Sequence, residues 1–434
     1  MSPLAHGLGG RTDLPLDAVA AIAGGGIAVA ISFVALAATW HRPRLGSGAG
    51  IPLPGAARAL TTPAVLAVGR AAALAGWALV VAVALAGPRD TATNLAPWAL
   101  YVTFWVGLVP LSVLLGPVWR AVNPLRTLHR ALCLLTRTDP QDARRRYPDR
   151  LGRWPAAAWL AAFVWLELVA PGRADPRLVG TLILAYTAFH LALAQVYGPV
   201  WFARGEAFEV YATLLARMSP LGRRADGTRV LRAPLAHLLR PGPEPGLAAV
   251  ACVLIGSTAF DGITRTSYWK DTADPGSVVA GTLGLAAAIA AVTALYVAAL
   301  RARAALLGRP ADGAADRFAA TLLPIALGYA VAHYFSFLLL EGQMTVILAS
   351  DPFGTGLNLL GTRGHRVDHD VAGPGLVALV QLNAVVLGHL AATLAAHDLA
   401  LRADPPRRAA LGQVPLAAAM VALTCGGLFS LLSG

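Results

Sequence analysis

The chain has 434 residues, of which 56% are hydrophobic and only 13% charged. A soluble domain carries about a quarter charged residues, so a soluble multi-domain protein is excluded. Unbroken apolar runs of about 20 residues recur from end to end, which selects an all-α polytopic membrane bundle over a β-barrel. The net charge is +12. Its basic residues lie between the apolar runs, so the expected partner is the lipid bilayer and not nucleic acid.

Ten spans are predicted in chain order, over about 17–39, 64–86, 97–116, 155–170, 177–197, 246–261, 276–300, 317–340, 375–397 and 414–432. The first run is too long for a signal-peptide core and reads as a retained helix. "GGG" at 24–26 suits close helix packing within it. Cys133, Cys252 and Cys425 are far apart and odd in number, so no disulfide framework is implied.

The loops alternate in charge. One set, around 42–58, 120–153, 204–240, 301–317 and 402–408, holds 26 basic residues, and the opposite set holds 8. By the positive-inside rule the basic side is cytoplasmic. Both termini are then expected outside the plasma membrane of a bacterium.

"GPVW" occurs at 116–119 and again at 198–201. Leu125, Leu128, Leu132 and Leu135 follow the first copy at helical spacing, and Phe208, Tyr211, Leu215 and Met218 follow the second. With arginines beside them, these read as two amphipathic helices in the inner interface. Either the motif is a reused way of ending a helix, or it marks a two-fold repeat enclosing a site. The Pro-, Gly- and Arg-rich segment 219–245 reads as a cytoplasmic linker.

Ionisable and amide side chains inside the spans are candidates for function: Glu167, His190, Gln195, Asp261, His333, Glu341, Gln343, Gln381, Asn383, His389, His397 and Asp398. At 1.5 Å per residue, His190 and His389 both lie roughly 20 Å from the outer edge. His333 and Glu341 are eight residues apart and face a similar side. His397 and Asp398 reach the inner edge, where water or the arginines of "LRADPPRR" meet them. Three readings of the histidines stand open: metal or haem ligands, a proton relay or substrate pocket, or hydrogen bonds to neighbouring helices. No HExxH, CxxCH, GxSxG or P-loop motif selects among them.

The longest outer loop, 341–375, contains "HRVDHD". His365 and His369 would share a face if helical, which would suit a divalent metal. The N-terminal "AHGLGGRTDLP", with His6 and Asp13, and the segment that holds Asp261 also lie on this side. Clustered carboxylates and imidazoles are what metal-assisted hydrolysis requires.

The motifs "AHGLGGRTDLPL", "GPVWRAVNPLRTL", "YGPVW", "AFDGIT", "AHYFSFLLLEGQ", "SDPFGTG" and "VLGHLAATLAAHDLAL" run over nearly the whole length. Together they resemble a family of bacterial multi-pass membrane proteins known as fenitrothion hydrolases. The resemblance implies a membrane-bound enzyme that cleaves organophosphate-type esters, with a small hydrophobic substrate. Matching positions with suitable chemistry are His6, Asp13, Asp261, His333, Glu341, Asp351, His389, His397 and Asp398; "GHRVDHD" is outside the pattern. The expected catalytic residues are His333, His389, Glu341 and Asp261. The expected metal ligands are His190, His333, His389 and His6, for a divalent ion. The alternatives are a permease or assembly factor without enzymatic activity, and a haem or copper protein.

Overall fold

A computed structural model describes residues 17–46, 50–53, 62–224, 226–240, 242–274 and 276–432. Fifteen helices form an all-α bundle. They are α1 Ala18–Thr39, α2 Pro63–Ala86, α3 Leu95–Leu115, α4 Val118–Val122, α5 Pro124–Leu135, α6 Trp154–Leu168, α7 Pro176–Tyr197, α8 Val200–Arg204 and α9 Ala207–Leu215. They continue as α10 Leu247–Arg265, α11 Ser267–Thr272, α12 Val278–Leu307, α13 Ala314–Ala349, α14 Pro374–Leu401 and α15 Pro406–Leu432.

The helix starts are written locally. Thr62-Pro63, Asn123-Pro124 and Asp175-Pro176 each place a capping side chain before a proline at the first helical position. The side chain accepts an orphan amide, and proline loses no bond there. Helix α3 is interrupted by a π-helical stretch at Ala99–Val106.

Among the described residues, nine helices are long and apolar enough to cross a membrane. The segment expected at 155–170 is α6, with 15 residues. At about 22 Å it is shorter than a hydrocarbon core of about 30 Å. Its ends nevertheless reach opposite ends of the bundle. Arg153, just before it, pairs with Glu244 at 2.6 Å. Beyond it, Ala174 O accepts from Thr91 Oγ1 and Arg173 O from Tyr101 Oη.

Two faces result. Residues 40–46, 116–153, 198–224, 226–240, 242–245, 303–318 and 398–408 carry most of the arginines and are tied together by contacts such as Arg303–Asp404 and Asp398 with the Arg44 and Leu45 amides. The segments 87–94, 169–175, 266–274, 276–277 and 350–373 make up the opposite face. Helices α1 and α15 pack antiparallel, which puts both described ends of the chain at that opposite face. Their contact uses the predicted glycines: a Cβ on Gly25 would meet Leu428 at 2.6 Å and one on Gly26 would meet Cys425 at 2.8 Å.

Several helices run further than predicted. Helix α10 continues past Asp261 to Arg265, and α13 continues to Ala349, so Glu341 is helical. The segment read as a linker folds instead into a small sheet. Strands β2 Leu221–Arg223 and β3 Arg229–Leu231 pair antiparallel, and β1 Ile51–Pro52 adds to the other edge of β3. Of the two expected amphipathic helices, α5 is half exposed, whereas α9 is buried on nearly every residue and packs against α3 and α6.

Candidate functional site

Helix α10 carries Asp261 and Arg265 four residues apart, so both project from one face. Between them Gly262 lets two helices close in. A Cβ there would meet Ser430 Oγ at 2.7 Å and His333 Cε1 at 3.2 Å. The Asp261 carboxylate is wholly buried, with Arg265 Nη2 at 3.1 Å and His333 Nδ1 at 3.4 Å from its Oδ2. The second distance is long for a hydrogen bond, and the contact is an ion pair only when His333 is protonated.

Two more charges approach this pair. Glu167 lies buried at the end of α6. Arg173 follows in the next loop, where burial pushes its guanidinium below the usual range while Tyr101, Glu167 and Asp261 oppose that shift. Two carboxylates, two guanidiniums and an imidazole thus gather near the face opposite the arginine-rich one. Charges this close in an enclosed setting interact far more strongly than in water. The sequence reading had Asp261 and His333; it missed Arg265 and Arg173 and did not connect Glu167. The i,i+4 spacing of Asp261 and Arg265 was the available signal.

The remaining candidates do not join this cluster. Glu341 sits two turns beyond His333 on α13, within electrostatic reach of His369. His389 is wholly buried on α14 and its Nδ1 donates to Val385 O of its own helix at 2.9 Å. Its Nε2 has no hydrogen-bond partner among the described residues, and Tyr329 packs beside the ring. His190 lies in an aromatic cage of Trp159, Tyr186, Phe189 and Trp201. Trp201 Nε1 donates to its Nδ1 at 2.9 Å.

His190, His333 and His389 therefore do not form one ligand set. Among the described residues, no three His, Cys, Asp or Glu side chains form a group that could hold a metal ion. His6 and Asp13 lie outside the described residues. His365 and His369 sit in non-helical loop, so the shared helical face expected of them is not formed. Asp351 organises its own turn, accepting the Thr355 and Gly356 amides. His397 and Asp398 are accounted for by the protein itself. His397 donates to Trp40 O and accepts from Gln413, while Asp398 accepts the Arg44 and Leu45 amides and pairs with Arg402.

A second polar cluster, unforeseen, lies at the arginine-rich end and is built from the two GPVW segments. Each span, α3 and α7, ends at a glycine in a backbone region that only glycine tolerates: Gly116 at φ 79°, ψ −157° and Gly198 at φ 66°, ψ −161°. Each is followed by a five-residue helix, a capping side chain and a further helix. The caps are Asn123, which accepts Leu125 N, and Glu206, which accepts Phe208 N and Glu209 N.

The copies then exchange contacts. Helix α5 of the first packs on α7 of the second, and α9 of the second packs on α3 of the first. Equivalent positions meet across the junction. Cap faces cap as Asn123 Nδ2 donates to Glu206 Oε2 at 3.3 Å. Three residues on, Arg126 grips Glu209 with two bonds of 2.6 Å. Tyr186 Oη donates to the other Glu206 oxygen. Burial still pushes the Glu206 carboxyl up to about 7.

The repeat also explains His190. It stands eight residues before Gly198, where the first copy has Leu108 eight residues before Gly116. Trp119, the counterpart of Trp201, leaves its buried Nε1 without a hydrogen-bond partner among the described residues. His190 supplies the acceptor that the first copy lacks, which is a packing role.

In comparisons with family models, curated proteins and solved structures, nothing matches this chain.

Proposed function

We propose that this protein is a membrane-embedded hydrolase of phosphotriester-type or related esters, working at the face opposite its arginine-rich side. The observation that carries this reading is the buried Asp261–His333 pair with Arg265 beside it. The family resemblance adds the ester substrate class. In this scheme Asp261 orients His333 through Nδ1, Nε2 takes a proton from a water that attacks phosphorus, the P–O bond to one ester group breaks, and His333 returns the proton to the departing alkoxide, released as the alcohol. Arg265 and Arg173 stabilise the negative charge that develops on the phosphoryl oxygens. Proton transfer by a positioned base contributes typically about 10²–10⁴-fold. A small hydrophobic ester would reach the site from the bilayer, in which it dissolves.

In this scheme the arginine-rich face is cytoplasmic, so the site lies toward the outer side and both described chain ends face outward in a bacterial plasma membrane. The test is hydrolysis of a chromogenic phosphotriester by purified protein in nanodiscs. His333→Gln is expected to lose activity at least about 10²-fold, while His389→Ala keeps it. Equal activity in His333→Gln and wild type would sink the reading.

A second reading is favoured by one observation. The duplicated segments of α3 and α7 are parallel repeats, an arrangement found in transporters. A permease predicts uptake into proteoliposomes with no product formed.

A further inference from the structure

Helix α2 is the least buried of the candidate spans among the described residues, with 6% of its apolar window buried. It nonetheless carries a charge, Arg70, about 10 Å in from its arginine-rich end at 1.5 Å per residue. Arg70 Nε donates to Ala121 O at 3.0 Å. Gly69 allows that approach, since a Cβ there would already press on Val122 at 3.1 Å. Helix α5 packs on the same part of α2. It presents Arg126 and Arg130, one turn apart on one face.

Arg126 is neutralised by Glu209. Arg70 and Arg130 are not: among the described residues neither has a carboxylate at ion-pair distance. Their charges nevertheless act on each other, and burial together with Arg70 and Arg126 pushes the Arg130 guanidinium below its usual range. The same two helices carry exposed apolar side chains, Val65 and Val68 on α2 and Leu134 and Leu135 on α5. Arg70 and Arg130 stand on two packed helices, close enough for their charges to interact and without a carboxylate at ion-pair distance among the described residues, and so call for an anion. At the arginine-rich face of a membrane protein the anion at hand is a lipid phosphate, toward which a long arginine side chain can extend and which its planar guanidinium binds with paired hydrogen bonds.

We infer that Arg70 and Arg130 form a binding site for the phosphate of an anionic phospholipid in the leaflet at the arginine-rich face. The exposed valines and leucines pack the acyl chains, and the two guanidiniums share the phosphate oxygens. This site is independent of the Asp261–His333 cluster, at the other end of the bundle.

The test is native mass spectrometry of the full chain titrated with phosphatidylglycerol, phosphatidylcholine or inorganic phosphate. Phosphatidylglycerol is expected to bind preferentially, and Arg70→Gln and Arg130→Gln each to weaken it about fivefold, the worth of one arginine at an anionic surface. Arg407→Gln, an exposed arginine elsewhere on the same face, is expected to change nothing. An equal loss with Arg407→Gln would mean diffuse attraction and overturn the site. Displacement of the lipid by inorganic phosphate at equal concentration would overturn the lipid assignment. A measurement without variants guards against misfolding: phosphatidylglycerol should raise the melting temperature of wild-type protein above that in phosphatidylcholine. No difference there would also overturn the inference.

Discussion

The two buried polar clusters stand at opposite ends of the bundle and are wired differently. At the arginine-rich end, Asn123 and Glu206 are bonded to backbone amides as helix caps, and Arg126 grips Glu209 with two short bonds. Contacts to the main chain cannot shift without unwinding a helix. At the opposite end Asp261 meets Arg265 and His333 side chain to side chain, at 3.1 and 3.4 Å. Side chains can change partners when a ligand arrives. On the function proposed above, the first cluster is a joint between two copies of one motif and the second a place for chemistry. Burial and charge alone, which both clusters have, do not distinguish a joint from a site.

That contrast can be broken by experiment. The largest effect is expected at the His333 cluster and on turnover alone. His333→Gln should cost about 10²–10⁴-fold in kcat with the melting temperature nearly unchanged, whereas a fall in melting temperature with activity intact would make it a second joint. The Arg126–Glu209 pair should behave in the opposite way. Removing either partner strands a buried charge and should cost about 3–5 kcal/mol of stability, read by thermal unfolding in detergent. Arg126→Met with Glu209→Met should recover most of it.

Next in size are the two motif glycines. Gly116→Ala and Gly198→Ala should each cost about 1–3 kcal/mol, because alanine is strained in that backbone region. Similar costs at both would sharpen the equivalence of the copies, and a cost at one alone would weaken it. The smallest effect concerns pH. Burial raises the Glu206 carboxyl from its usual range to about 7, so the folded state holds a proton that the unfolded state releases at lower pH. Stability from this group is present below the unfolded carboxyl range and is lost as pH rises toward 7. The melting temperature should therefore be higher at pH 5 than at pH 8, and Glu206→Gln should reduce that difference.

Much of the bundle was legible because lipid imposes it. The long apolar runs, the charge alternation of the loops and the cap-proline pairs at 62–63, 123–124 and 175–176 are local properties. The helix ends were less legible. Helix α13 runs on through Glu341 and Gln343 to Ala349 because polar residues past the apolar run still have helical propensity and neighbours to pack on. Segment 219–245 read as a linker because its strands are only three residues long and one of them, β3, pairs with Ile51 and Pro52, far away in the sequence. Of the site, Asp261 and His333 were both singled out by cost, since each is ionisable inside an apolar run. Depth along the helix then misled. His190 and His389 share a level, yet one accepts from Trp201 and the other bonds its own helix.

The sequence by itself determined that this chain is a multi-pass helical membrane protein, since composition and run length decide what a bilayer can hold. It also marked which few residues are too expensive there to be incidental. Only the tertiary structure decided which of them meet. Partnership depends on the rotation and packing of helices that are distant in the chain, and one-dimensional spacing carries no information about that. Gly262, with no side chain to hold α13 and α15 away, is the reason Asp261 reaches His333. The exchange of α5 and α9 between the two GPVW copies is the reason four matching letters became a folded repeat.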